Sequence, residues 1–305
     1  MSLPEFVPDG AAHPPWIKEA RPDSNIDMNT EFPGYLQSLS EFQRAFLDSY
    51  PPTFVFAVIS WGCAGTAWIA RTLNSHPDIY CVHAANAFWQ VLGGCERLDG
   101  LSYLRVIASQ GHAHAAAGDV HGVGRHHIPA LRLAFDQLFN AAVVVREPIP
   151  RLRSQLALFE RYKDVEGSTT AWDLGYIDSL IEHCKIALPR DDFRFRFFVH
   201  AANMLNAILE EREVGKIYRS EDLTSDTSVL GDFVDEITRA RVRPSSEWLD
   251  AAIQIHPVNP HAESSGQRQF EAWEIDVIRK VVDPRAWEMY ERLGYTRPVF
   301  VRGGS

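Results

Sequence analysis

The chain has 305 residues, of which 46% are hydrophobic and 11% are aromatic. This composition is typical of a folded globular protein and excludes a largely disordered chain. Its 40 acidic residues outnumber its 30 basic residues, which gives a formal net charge of −10. No global positive field attracts nucleic acid, so we expect no nucleic-acid partner. An anionic ligand therefore needs a local group of basic side chains.

The cysteine pattern indicates neither a disulfide framework nor a strong metal site. The four cysteines are Cys63, Cys81, Cys95 and Cys184. We find no signal-peptide pattern and no apolar run of membrane-spanning length, so we expect a cytoplasmic protein with no membrane span and no metal. Three of the twelve histidines, His112, His114 and His121, lie in an Ala/Gly-rich segment. We expect this segment to be a solvated loop.

Taken in order, residues 1–50 are predicted to form a proline-rich arm and then a short amphipathic helix over 36–49. Residues 51–305 show no internal repeat and no convincing linker, so we predict one domain there. Short strands alternate with helices along this region. That order predicts an α/β fold with a mostly parallel sheet and helices on both faces.

The stretch from Phe54 to Pro77 predicts a strand, a turn and a helix. The apolar run 54–59 is short enough for a buried strand, and Gly62 and Gly65 then break it. Glycines let the backbone approach a phosphate, and N–H groups at a helix start point towards it. An ordinary strand-to-helix turn explains the same pattern, so the stretch alone leaves both interpretations open.

A second buried strand is predicted at residues 141–145, and Arg146 follows its carboxyl end. Ser154 comes eight residues after Arg146, inside the next predicted helix. An arginine fork and a hydroxyl in this arrangement could hold one phosphate.

Most of the remaining chain is predicted to be helical, with one strand candidate at 215–219. The predicted helices cover 173–187, 193–212, 228–240 and 269–293. Arg151 and Arg153, which follow Arg146, are expected to lie on a solvated face. There we expect them to pair with Glu147 and Glu160.

The two motifs together resemble the sulfotransferases that use 3′-phosphoadenosine 5′-phosphosulfate. The residues that carry the resemblance read strand–G-x-x-G-T-x-W–helix–L-N-S-H-P-D-I and V-V-V-R-E-P-x-x-R-x-x-S, each after a predicted strand. The resemblance covers roughly residues 53–160. It implies a P-loop nucleotide-kinase-like fold with a central parallel sheet of about five strands. It also implies transfer of a sulfuryl group to a hydroxyl of a small molecule, lipid or glycan, with no metal required.

The resemblance also implies where the donor binds. Its 5′-phosphosulfate end would bind at the turn and helix start, with Trp68 against the adenine, while Arg146 and Ser154 would hold the 3′-phosphate. The implied turn residues are Gly62, Cys63, Ala64, Gly65, Thr66, Ala67 and Trp68.

For the reaction centre, residues 125–129 resemble the K-T-H-L-P segment of many members. His127 then corresponds to the general base, and Arg125 replaces a lysine that contacts the sulfuryl group. A neutral imidazole suits removal of a proton from an alcohol near pH 7. A helix-capping or core role for His126 or His127 is the simpler alternative.

Some relatives place a glutamate base after the H-P-D-I segment, but this chain has no carboxylate in that stretch. His83 is therefore the second candidate for the base. Phe88 and Trp89 are expected to line the acceptor pocket, although core packing explains them as well. The acceptor itself and the oligomeric state are not specified by the sequence.

Cys63 departs from the family pattern, because it stands where lysine or arginine is usual. Losing one preorganised hydrogen-bond donor costs about 2.7–4 kcal/mol of transition-state stabilisation. Arg125 and Arg71 are candidates to supply the missing positive charge. A member that binds the nucleotide without turnover is the alternative. An ATP or GTP kinase ranks last, since the G-x-x-x-x-G-K-S/T motif is absent.

Two later motifs match the family only in part. Residues 219–223 resemble an R-Y-E-D-L strand end, but Ser220 replaces the tyrosine. The late R-K-G segment is missing, and Arg268 is only a weak candidate for a further 3′-phosphate contact. Trp273, Trp287 and Tyr295 are expected to belong to the core.

Overall fold

A computed structural model describes residues 53–60, 63–83, 104, 107–108, 111–162, 175–189, 193–255 and 269–302. The predictions for residues 1–50, Gly62, Phe88, Trp89 and Arg268 lie outside these ranges. Contacts divide the chain into two compact units. The first takes its described residues from 53–60, 66–143 and 222–255, and the second from 63–65, 144–221 and 269–302. The single domain expected over 51–305 stays a prediction.

The chain forms an open, parallel five-stranded sheet flanked by helices, in the order β2-β3-β1-β4-β5. The strands are β1 (Phe54–Ile59), β2 (Ile79–His83), β3 (Ala116–Val120), β4 (Phe139–Val145) and β5 (Ile217–Arg219). β1 pairs in parallel with β3 and with β4, and β2 pairs in parallel with β3. Every residue of β1 and β3 is buried, as expected for inner strands covered on both faces. The predicted α/β class with a mostly parallel sheet is confirmed.

The described helices follow the strands in sequence, as the α/β pattern predicts. They are α1 (Thr66–Asn74), α2 (Ile128–Phe135), α3 (Pro148–Tyr162), α4 (Gly175–His183), α5 (Phe193–Asn203), α6 (Ile208–Glu211), α7 (Ser220–Leu223), α8 (Thr227–Thr238), α9 (Ser246–Ile253), α10 (Ala272–Val281), α11 (Pro284–Arg292) and α12 (Val299–Arg302). Three short 3₁₀ turns lie between them, at Arg125–His127, Asp136–Leu138 and Met204–Ala207.

The expectation of a solvated loop around His112, His114 and His121 is wrong for the residues between 114 and 121, because β3 lies there. Small side chains explain why this strand fits between its neighbours. A Cβ added to Gly118 would lie 2.4 Å from the Phe56 ring. Alanine and glycine are depleted in strands, so packing overrides propensity in this strand.

The helix predicted over 269–293 is two helices, α10 and α11. The chain turns at Asp283, whose side chain accepts a hydrogen bond of 2.8 Å from the Arg285 backbone N–H. Pro284 takes the first position of α11, where a missing N–H costs nothing. Helix α9 was not among the predicted helices; Ser245 caps it by accepting from the Trp248 N–H at 3.1 Å.

The second unit has its own aromatic core. Trp273 of α10 packs against Phe195 and Phe198 of α5, with ring centroids 4.7 Å and 5.1 Å apart. Trp287 and Tyr295 are buried. The core roles expected for Trp287 and Tyr295 are therefore confirmed, whereas Trp273 is only half-buried.

Candidate functional site

Residues 63–65 alternate in the sign of φ, as do the backbone turns that form anion-binding concavities. Cys63 and Gly65 have φ angles of 67° and 78°, and Ala64 between them is not among the residues with positive φ. Such alternation turns successive N–H groups towards one side, where they can hold an anion. A Cβ on Gly65 would meet nothing within 4 Å, so its left-handed φ and not its surroundings requires glycine.

Arg146 connects this loop to the second motif. One of its terminal nitrogens, Nη1, donates to the Cys63 carbonyl at 2.9 Å and to Ser154 Oγ at 3.1 Å. Ser154 is buried, and the Arg146 residue is half-buried. The structure therefore brings three sequence-predicted residues of the donor site into one hydrogen-bonded group. Their ligand-binding roles stay predictions.

Arg151 is buried, so the expectation that it lies on a solvated face is wrong. It is 2% exposed and hydrogen-bonds the side chain of Tyr290. Burial raises the pKa of Tyr290 to about 12, while Arg151 lowers it and Glu211 raises it. The buried guanidinium thus has the Tyr290 phenol as a hydrogen-bond partner.

The Cys63 thiol is neutral at pH 7. Burial raises its pKa, and this effect exceeds the lowering by the guanidiniums of Arg151 and Arg146. The structure therefore gives no support for a reactive thiolate in the loop. It does show which cations act on this position: Arg151 first and Arg146 second. Sequence reasoning assigned the compensating charge to Arg125 or Arg71 and missed Arg151.

In the first unit, Thr66 and His83 form a second polar group. His83 Nε2 lies 3.0 Å from Thr66 Oγ1, where α1 begins and β2 ends. Burial, and to a smaller extent the neighbouring His121, lower the pKa of His83 to about 4. The His121 ring centroid lies 6.4 Å from that of His83. At pH 7 the His83 imidazole is therefore neutral and shares a hydrogen bond with the threonine hydroxyl.

Arg125 and His127 lie in the 3₁₀ turn that precedes α2, and both are half-buried. The segment that leads to this turn is anchored by Asp119, the fourth residue of β3. Its buried carboxylate accepts from the N–H groups of Gly122 at 2.5 Å and Val123 at 3.0 Å. The turn is thereby fixed to the carboxyl end of a central strand. The general-base role of His127 and the sulfuryl contact of Arg125 stay predictions.

Trp68 lies on the buried face of α1. It is 5% exposed, and its indole N–H donates to the Ile255 carbonyl at 2.6 Å. Packing and this hydrogen bond account for its side chain, and the contact with adenine stays a prediction. The neighbouring Gly65 and Ala67 are exposed.

Comparisons with known proteins give a distant structural likeness. No family model matches the chain, and no curated protein matches it. Among solved structures, the chain is similar to a sulfotransferase from Alicyclobacillus acidocaldarius, with 14% sequence identity and a TM-score of 0.42. The match covers 80% of this chain and 97% of that chain. At this level of likeness no activity is transferred from that protein to this one.

In the parts of the chain that the structure describes, no helix is both long and apolar enough to cross a membrane. Within the same residues, no group of three or more His, Cys, Asp or Glu side chains is arranged to hold a metal ion.

Proposed function

We propose that this chain is a sulfotransferase that moves a sulfuryl group from 3′-phosphoadenosine 5′-phosphosulfate to a hydroxyl acceptor. One observation carries the proposal. The Arg146 guanidinium hydrogen-bonds both the Ser154 hydroxyl and the carbonyl of Cys63. The residues proposed for the 3′-phosphate are thus in contact with the loop proposed for the 5′-phosphosulfate end.

The donor would be held by fixed N–H groups. Both contacts of Arg146 use Nη1, so the N–H groups of Nε and Nη2 would be the donors to the 3′-phosphate. The concavity at 63–65 would hold the 5′ end through backbone N–H groups. Backbone donors of this kind need no reorganisation as charge develops, which is why they contribute to catalysis.

In the transfer step, the acceptor oxygen would attack sulfur in line with the bond that breaks. A new S–O bond forms, and 3′-phosphoadenosine 5′-phosphate leaves with the electron pair of the old one. The acceptor proton passes to a base, for which we propose His127. His83 is the weaker candidate, because a pKa of about 4 makes it a poor proton acceptor at pH 7. We propose instead that His83 orients the Thr66 hydroxyl towards the sulfate end.

The positive charge that Cys63 does not provide would come from arginine. Arg151 and Arg146 both act electrostatically on the Cys63 side chain. Arg151 is the more deeply buried of the two, and a charge held in a low-dielectric region acts more strongly than one in water. We propose that these guanidiniums replace the usual basic residue of the loop.

Nucleotide binding without turnover is the second candidate function. The neutral thiol at Cys63 favours this second function. No charged side chain of the loop itself would meet the oxygen that links the sulfuryl group to the 5′-phosphate as that bond breaks. Both candidates require the donor site, so they share the binding test and differ only in the rate of transfer.

Isothermal titration calorimetry with 3′-phosphoadenosine 5′-phosphate tests the donor site. We expect the wild type to bind and Arg146→Ala to bind roughly tenfold more weakly or worse, because charged hydrogen bonds to the 3′-phosphate are lost. Adenosine 5′-phosphate lacks the 3′-phosphate, so its affinity should change little. Arg212→Ala, at an exposed arginine of the same unit, is the matched control. No binding by the wild type would refute the proposed function, and full binding by Arg146→Ala would refute the 3′-phosphate site.

A further inference from the structure

The two residues that flank Arg146 are both held by the same pair of side chains. The backbone N–H of Glu147 donates to Glu221 Oε1 at 2.9 Å. The hydroxyl of Tyr295 donates to the other oxygen of that carboxylate at 2.7 Å and lies 3.4 Å from the carbonyl oxygen of Val145. One carboxylate–phenol pair therefore contacts the peptide groups on both sides of Arg146 and accepts a hydrogen bond from the N–H of the second.

This pair comes from two distant parts of the second unit. Glu221 lies in α7, directly after β5, and Tyr295 follows α11 at the turn made by Gly294, whose φ is 86°. The ring of Tyr295 is buried, and the guanidinium carbon of Arg219 lies 4.6 Å from the ring centroid. A Cβ on Gly294 would come within 3.2 Å of Arg219 Nη1, so glycine leaves room for this contact. Burial and the Arg219 guanidinium over the ring thus restrict where the phenol can point.

The phenol keeps its proton at physiological pH. Burial raises the pKa of Tyr295, and the hydrogen bond and charge of Glu221 raise it further, while Arg219 lowers it. Tyr295 therefore remains a donor to one oxygen of Glu221, and the other oxygen accepts from the Glu147 N–H. A carboxylate that accepts both bonds is satisfied on each oxygen, as a part-buried charge requires.

We infer that Glu221 and Tyr295 are positioning residues for Arg146. They fix the backbone on either side of it, and this fixes the direction in which its guanidinium leaves the end of β4. The inference deepens the proposed function, on which it rests for the identity of the ligand. Neither side chain is assigned a contact with the donor, so neither is a catalytic residue.

A positioning role differs from a general structural role in what it changes. If Glu221 only stabilised the fold, its loss would weaken the binding of all adenine nucleotides alike or simply lower stability. If it positions Arg146, its loss should weaken only the binding of the ligand that carries a 3′-phosphate. Glutamine at 221 keeps an oxygen for the Glu147 N–H and can donate to the Tyr295 oxygen, so it should rescue the geometry.

The experiment compares Glu221→Ala, Glu221→Gln and Tyr295→Phe with the wild type, and uses the exposed Glu213→Ala as the matched control. Calorimetry is run with 3′-phosphoadenosine 5′-phosphate and with adenosine 5′-phosphate. For Glu221→Ala we expect roughly tenfold weaker binding of 3′-phosphoadenosine 5′-phosphate and unchanged binding of adenosine 5′-phosphate, because the Glu147 N–H loses its partner and Arg146 is no longer held in place. Glu221→Gln should remain within about threefold of the wild type, and Tyr295→Phe should lie between the two variants.

A second measurement does not depend on the ligand. Arginine side-chain N–H resonances are recorded by nitrogen-15 NMR, with the Arg146 signal assigned from its loss in Arg146→Lys. We expect a protected Arg146 signal in the wild type, Glu221→Gln and Glu213→Ala, and its loss in Glu221→Ala. An unchanged Arg146 signal in Glu221→Ala, or equally weakened binding of both nucleotides, would overturn the positioning role. If the wild type binds neither nucleotide while the signal is lost in Glu221→Ala, positioning stands and the proposed function fails.

Discussion

The guanidinium of Arg146 donates a hydrogen bond of 2.9 Å to the carbonyl oxygen of Cys63, which lies 83 positions earlier in the chain. Cys63 has a left-handed backbone, which costs a non-glycine residue roughly 1–2 kcal/mol. A hydrogen bond to a charged group contributes about 1.5–3 kcal/mol, so this contact is large enough to offset the strain.

Replacing Cys63 with glycine should stabilise the protein. Glycine adopts a φ of 67° without strain, so we expect the free energy of unfolding to rise by roughly 0.5–1 kcal/mol in urea denaturation. Ala64→Gly is the matched control and should lower stability, because Ala64 has no left-handed φ to relieve. A Cys63→Gly variant that is less stable than Ala64→Gly would contradict the role assigned to backbone strain.

Replacing Cys63 with lysine tests whether arginine already supplies the charge of the loop. We expect less than about a tenfold increase in the release of 3′-phosphoadenosine 5′-phosphate from the donor, because Arg151 and Arg146 act on this position. Cys63→Ser controls for loss of the thiol. A gain of about 100–1000-fold would instead favour the alternative, in which the chain binds the nucleotide without turnover.

Substitutions of His127 and His83 should affect different kinetic constants. As the proposed base, His127 should contribute about 10²–10⁴-fold to kcat, and His127→Ala should lose that amount. His83→Ala should mainly raise KM for the donor, because His83 Nε2 contacts the Thr66 hydroxyl at the start of α1. Steady-state kinetics over pH 5–9, with the exposed His112→Ala as control, separate the two. A larger kcat loss in His83→Ala than in His127→Ala would reverse the assignment.

Stability should fall as the pH is lowered from about 6.5 to about 4. Burial lowers the pKa of His200 to about 4, and the unfolded chain has the ordinary value of about 6.5. In this window the unfolded state binds a proton that the folded state does not, so acidification favours unfolding. The slope for one histidine is at most about 1.4 kcal/mol per pH unit. His83 acts in the same direction.

Urea denaturation at a series of pH values checks this slope. His200→Asn should flatten it between pH 6.5 and pH 4, because the variant has no buried imidazole to protonate. His183→Gln, at an exposed position of α4, is the matched control and should leave the slope unchanged. The same slope in His200→Asn and the wild type would show that His200 does not control this part of the pH dependence.

The local pattern of the sequence was sufficient for the strand–turn–helix at 54–74 and for the strand that ends before Arg146. Each of these is encoded by neighbouring residues: an apolar run, glycines at the turn, and apolar residues at helical spacing. Placement of Arg146 with Ser154 was also predictable, since both lie on the same strand–helix connection. The ligands and chemistry proposed for these residues rest on the resemblance to a family, and no pattern in the chain specifies the acceptor.

The sequence by itself determined which segments are strands and helices wherever the hydrophobic pattern was strong, and it supplied the residues that we propose for the donor site. Only the tertiary structure decided that 116–120 is a central strand, that Arg151 is buried, and that Glu221 and Tyr295 meet at Arg146. The physical reason is that burial and pairing depend on contacts between residues far apart in sequence. A Cβ at position 118 would collide with Phe56, and Arg151 hydrogen-bonds Tyr290, so neither outcome is written in the residues beside them.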